Sequence, residues 1–174
     1  MSKSLLGSLL SASDENDALL NSPNEWLRSF ARRARNEASV LEELRDSILN
    51  ALGGLGIMEM QLEYHGGGDS GDIEEVAWYP ATISAEAMLS KYVDMVQYVS
   101  GWHDQKPKCV FIESRVTIKE AIDCFFWTTL STQFPGWEIN EGGWGMLVFD
   151  LTDNTVTLYH TTYYQSSEEH IVEL

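Results

Sequence analysis

Basic side chains are scarce in this 174-residue chain. Eleven Lys and Arg stand against 27 Asp and Glu, a formal net charge of −16. That excess disfavours contact with nucleic acid phosphates or an anionic membrane, and it leaves basic protein surfaces and cations as the natural partners. The imbalance is uneven: residues 1–56 carry six basic and eight acidic side chains, whereas residues 57–174 carry five and nineteen. Cysteine is nearly missing. Cys109 and Cys124 sit among apolar neighbours without CxxC spacing, which excludes a disulfide framework or a cysteine zinc site and points to reduced thiols in a cytoplasmic protein. The four histidines, at 65, 103, 160 and 170, show neither His-x-x-His nor His-Glu-x-x-His spacing, so none is assigned to catalysis. No apolar run approaches the roughly 20 residues of a membrane span. The short run Leu5 to Leu10 is broken by Gly7 and Ser8 and preceded only by Lys3, unlike a signal peptide.

What is present suits a single domain. A hydrophobic content of 44% is enough for one core. Residues 1–21 show no sustained period and read as a mobile arm or a short docking helix, leaving 22–174 as the domain. Ser22-Pro23-Asn24-Glu25 is a capping box that opens a long helix over 22–53. Trp26, Phe30, Ala34, Ala38, Leu41, Leu44, Ile48 and Leu52 recur at helical steps, and Gly53-Gly54 ends it. Its other face carries Arg28, Arg32, Arg33 and Arg35. Ile57 to Tyr64 alternates, and with Ile73 to Tyr79 it predicts a β-hairpin over 57–79. Ser84 caps an expected helix over 84–100 through Met88, Leu89, Tyr92, Val93, Val96 and Val99; residues 102–108 read as a polar loop and Cys109 to Ile112 as a short strand. Thr117-Ile118-Lys119-Glu120 is a second capping box, opening a helix over 117–134. Three strands over 137–164 follow, at Trp137–Asn140, Met146–Leu151 and Val156–Tyr164. The result is an α+β fold, a mainly antiparallel sheet packed against about three helices in the order α-β-β-α-β-α-β-β-β.

The unusual stretch is Tyr64-His65-Gly66-Gly67-Gly68-Asp69-Ser70-Gly71-Asp72. Four glycines in six positions carry an entropic cost, so a tight turn or a close backbone approach is expected there. As a hairpin connection, His65 to Asp72 is longer than usual. Gly68-Asp69-Ser70-Gly71 resembles the nucleophile block of trypsin-like proteases, but only His65 precedes it. It also resembles the Gly-Asp-Ser block of small esterases, whose Asp-x-x-His has Ser167 in place of the aspartate before His170. A Gly-x-Ser-x-Gly elbow is excluded by Asp72, and a Walker-A loop by the same residue standing where lysine belongs. Asp69, Asp72 and Glu74 are weak candidate ligands for Ca²⁺ or Mg²⁺, although their spacing matches no EF-hand and aspartates in such loops commonly form turns. No cofactor is assigned. Trp144, in Glu141-Gly142-Gly143-Trp144-Gly145, is either a core tryptophan folded back or an exposed anchor ringed by acids.

The Tyr64 to Ile73 pattern, with Phe134-Pro135-Gly136-Trp137-Glu138-Ile139-Asn140 and Phe149-Asp150, resembles an uncharacterised bacterial domain family of mobile and phage-related elements. The resemblance covers roughly the last two-thirds of the chain and implies no activity. The functional expectation is a non-enzymatic acidic module that regulates or inhibits a basic-surfaced partner, such as a nucleic-acid-binding, defence or toxin protein. Its binding residues would be Tyr64, His65, Asp69, Ser70, Asp72, Glu74, Glu141 and Trp144. A divalent-metal-dependent hydrolase and a Gly-Asp-Ser esterase are the alternatives.

Overall fold

A computed structural model describes residues 20, 21, 23–103, 106–139, 141–164 and 166; the arm expected at 1–21 lies almost wholly outside these. Helix α1 (Glu25–Gly54) is followed by β1 (Glu59–Gly67) and β2 (Ser70–Tyr79), a short helix α2 (Ala85–Leu89), β3 (Tyr92–His103) and β4 (Lys106–Thr117). Helix α3 (Ile118–Gln133), β5 (Gly143–Asp150) and β6 (Thr155–Thr162) complete the described elements. Every strand pairing is antiparallel, in a four-stranded sheet of order β2-β1-β5-β6 and a separate hairpin β3-β4. Among the described residues, three helices and six strands give the expected α+β class.

The period-two alternation of β1 survives as burial: Met60, Leu62 and Tyr64 are buried, and Glu59, Gln61, Glu63 and His65 face away. Leu147 and Phe149 of β5 and Val156 of β6 extend the same inner face. Helix α3 lies on it, bringing Phe126 to 5.0 Å from Tyr64 and Phe125 to 5.9 Å from Phe149, ring centre to ring centre. Each such aromatic contributes roughly 1.5–3 kcal/mol through burial. Leu44, Ile48, Leu49 and Leu52 of α1 join this core, and α1 also packs on β3. At the start of α3, Thr117 Oγ1 accepts from Glu120 N and the Glu120 carboxylate accepts from Thr117 N, the capping box read from the sequence. These bonds hold the Glu120 carboxyl below its ordinary pKa.

Two stretches differ from expectation. Ser84 does cap a helix, accepting from Ala87 N, but that helix stops at Leu89, and 92–103 is a strand, not the second half of a helix over 84–100. Tyr92, Val93, Val96 and Val99 satisfy helical steps, yet β-branched and aromatic residues also suit a pleated surface, and pairing with β4 across Tyr92↔Thr117 to His103↔Lys106 decides the outcome. The strand expected at Cys109–Ile112 accordingly lengthens to Lys106–Thr117. Of the strand expected at Trp137–Asn140, Asn140 lies outside the described residues and 137–139 are instead a run of turns, closed by Trp137 N to Phe134 O, Ile139 N to Gly136 O and Gly142 N to Ile139 O. The cause is the burial of Trp137, described below.

One buried hydroxyl stands alone. Thr129 Oγ1, inside α3, has no hydrogen-bond partner among the described residues. An unsatisfied buried polar group costs about 1–3 kcal/mol. Thr129→Val should therefore raise the urea midpoint by an amount equivalent to about 1 kcal/mol, with no change in m value.

Candidate functional site

The glycine stretch is a tighter structure than an eight-residue loop. β1 runs to Gly67 and β2 begins at Ser70, so only Gly68 and Asp69 form the connection, at φ 63° and 70°. Positive φ at both central residues is the signature of the type I′ turn, whose twist suits a β-hairpin. The remaining glycines lie within the strands. Gly66 and Gly71 face each other across the pair, and a Cβ on either would fall 2.3 Å or 2.1 Å from the Trp137 ring. Together they make a seat without side chains, on which the indole lies. Trp137 stacks at 5.8 Å on Trp127 and meets Tyr64 edge-on at 5.4 Å. The backbone N–H of Asp69 donates to Glu138 O at 3.1 Å, tying the tip of the hairpin to the Trp137 turn.

Tyr64, expected at a binding surface, is only 2% exposed and belongs to the core. Burial raises its phenol pKa, so the group stays neutral and can donate. Its hydroxyl lies 2.8 Å from His160 Nδ1, and His160 Nε2 lies 3.0 Å from Thr162 Oγ1. A phenol donating to Nδ1 requires the Nε2–H tautomer, which then donates to Thr162. Phe134 stacks on the imidazole at 4.1 Å, and burial holds the His160 pKa below its ordinary value.

The other predicted residues separate. Asp69 occupies the turn, and Ser70 opens β2 at the far side of a two-residue strand-to-strand turn. His170, the base an esterase reading would require, lies outside the described residues. Asp72 Oδ1 accepts from Ile73 N at 2.8 Å along the sheet edge. Glu74 is the extra residue of a β-bulge, where the register passes from Glu63↔Glu75 to Tyr64↔Ile73. No group of three or more His, Cys, Asp or Glu side chains able to hold a metal ion occurs among the described residues. Glu141 is exposed before β5. Trp144 is part of β5, where alternation turns it away from the core and leaves it 48% exposed.

Trp144 belongs to a surface the sequence did not reveal, the outer face of the four-stranded sheet. The registers place Glu59, Gln61, Glu63 and His65 of β1 beside Glu75, Ala77 and Tyr79 of β2 on one side. On the other they meet Trp144, Met146, Val148 and Asp150 of β5, themselves beside Thr155, Thr157, Tyr159 and Thr161 of β6. None of these residues is buried, and none is Lys or Arg. Tyr163 approaches His65 at 6.2 Å. Glu63 and Glu75 stand directly opposite each other, an arrangement that destabilises a sheet unless a cation intervenes. The sequence showed the acids of β1 on one face; which strands lie beside them depends on long-range pairing.

A family model described as a family of unknown function (DUF6878) matches residues 40–174. No curated protein and no solved structure matches the chain. The match begins inside α1 and takes in both hairpins, α3 and the whole outer face.

Two outcomes are expected here. Gly66→Ala should cost about 1–3 kcal/mol by overpacking against Trp137, and the cost should largely disappear in a Trp137→Ala background when the four proteins are compared by denaturant unfolding. Because the folded state disfavours protonated His160, its contribution is complete above the ordinary histidine pKa of about 6.5 and is lost as pH falls from there toward the lower folded value. His160→Asn, which retains an acceptor toward Tyr64, should therefore flatten the fall of Tm between pH 7 and 5 relative to the parent chain.

Proposed function

The chain belongs to this family of unknown function, and from that premise we propose that it is a non-enzymatic, acidic protein-binding module that regulates or inhibits a partner with a basic surface. The observation that carries the reading is the opposed pair Glu63 and Glu75 on a sheet face without lysine or arginine. Carboxylates added for solubility alone would be dispersed among cations. Here they are interleaved with exposed Trp144, Tyr159 and Tyr79. Tryptophan and tyrosine supply most of the energy of many interfaces, and a guanidinium can stack on an aromatic ring while pairing with a neighbouring carboxylate. A groove built to hold phosphates, as in a nuclease or a nucleic-acid-binding toxin, presents cations at such densities, and complementary charge would speed association with it. The free thiol of Cys124 suits the reducing cytoplasm in which such a partner would be met.

The test combines stability with capture. Glu75→Thr should raise stability by a few tenths to about 1 kcal/mol, by relieving the opposed charges. The same substitution should weaken capture of a basic protein from host lysate on the immobilised chain, and charge reversal at Glu63 and Glu75 together should abolish it. Retention by the parent should fall as sodium chloride rises from 50 to 500 mM, and charge reversal at exposed Glu37 and Glu42 of α1 should leave it unchanged. Failure to capture any basic protein at low salt, or equal capture by the face and helix variants, would overturn the reading.

A further inference from the structure

The sheet is incompletely covered at β2. Its order, β2-β1-β5-β6, gives β2 a strand neighbour on one side only among the described residues. The inward side chains of β2, Ile73, Val76 and Trp78, are only half-buried, whereas Tyr64, Leu62 and Met60, their partners on β1, are fully buried. The bulge at Glu74 turns Ile73 and Val76 to the same face despite their odd spacing. Beside them a cleft of about 330 Å³ opens between β2, α2 and α3, walled by Ile73, Val76, Leu89, Ile122 and Trp127, with the Lys119–Asp123 ion pair in its lining. On the opposite face of the same strand stand Glu75 and Tyr79. Beyond the bulge, the alternate backbone groups of Glu75–Tyr79 that point away from β1 meet no strand among the described residues.

Resting on the proposed cation-binding role of the outer face, we infer that β2 is the acceptor edge for an extended segment of the partner. That segment adds as a fifth strand and alternates apolar with Arg or Lys residues. In a strand laid beside Glu75–Tyr79, successive side chains point to opposite faces. One set enters the cleft and covers Val76 and Trp78, and the other lies over Glu75 and the Glu63 beside it. Backbone pairing supplies affinity, and the two faces supply selectivity. A second copy of this chain is a poor occupant, because β2 carries Asp72, Glu74 and Glu75 and no Lys or Arg, so it would bring no cation to Glu75 and Glu63.

The probe is a fluorescein-labelled nonapeptide of alternating Val and Arg. It is compared with a block peptide of the same composition and with the alternating peptide N-methylated at every second amide. On the full chain, the alternating peptide should bind at least tenfold more tightly than either control. Binding should slow hydrogen exchange at the amides of Glu75–Tyr79 that point away from β1, and Val76→Glu should remove the preference for alternation. Exchange in the unmutated chain decides the matter should Val76→Glu unfold. Equal binding of all three peptides, with exchange at Glu75–Tyr79 unchanged, would overturn the strand-addition mode and leave the acidic-face reading standing. No binding by any peptide at low salt would overturn both. Slow exchange, before any peptide is added, at those amides of Glu75–Tyr79 that point away from β1 would show the edge already occupied and would also overturn it.

Discussion

The contact on which this molecule depends is the indole of Trp137 lying against backbone, where a Cβ on Gly66 or Gly71 would fall within 2.3 Å of the ring. Protein interiors tolerate little change in volume, so the requirement for glycine at both positions follows from the size of the ring they receive. The rest of the region follows from the same contact. Burying Trp137 curls residues 134–139 into turns, Glu138 O is thereby placed to hold the tip of the hairpin, and Tyr64 and Trp127 close around the indole. What looked in the sequence like a loop for chemistry is a joint between the first hairpin and the segment that leads from α3 into β5.

With the inner face of the sheet closed by aromatic packing, the outer face is left to carry acids and exposed rings. Local agreement among propensity, pattern and packing holds over most of the fold and fails where acids face each other on the outer sheet face, Glu63 opposite Glu75 and Glu59 opposite Asp150. Proteins keep such conflicts at sites where something other than stability is served. The same strand, β2, also has the half-buried inward side chains and the unpaired edge. Charge, apolar exposure and the sheet edge thus coincide on the ten residues of β2, and the functional proposal and the strand-addition mode both draw on that coincidence. The family match takes in this whole region and leaves out the arginine-bearing first half of α1.

Local signals were legible where they are short in range. The capping box at Thr117–Glu120 announces the start of α3, because the bonds it makes join residues three apart; the one expected at Ser22–Glu25 rests on Ser22, which lies outside the described residues. The alternation from Met58 to Tyr64 gave the face of β1 correctly, because side chains in a strand alternate whatever lies beside them. Residues 92–103 were misread because their apolar positions fit both a helix and a strand, and only the presence of β4 alongside settles the choice. Trp137 was misread for a related reason: an extended pattern at 137–140 gives no sign that its first residue must fold inward.

By itself, the sequence determined the α+β class, the long first helix, the hairpin and the segregation of negative charge into the β-rich part, since each is a property of neighbours along the chain or of composition. Only the tertiary structure decided that the glycines seat an indole, that Tyr64 is interior while Trp144 is exposed, that Glu63 meets Glu75, and that β2 is an edge. Those facts are set by pairing between residues far apart in sequence, where register and packing select one partner among many that local pattern leaves equivalent.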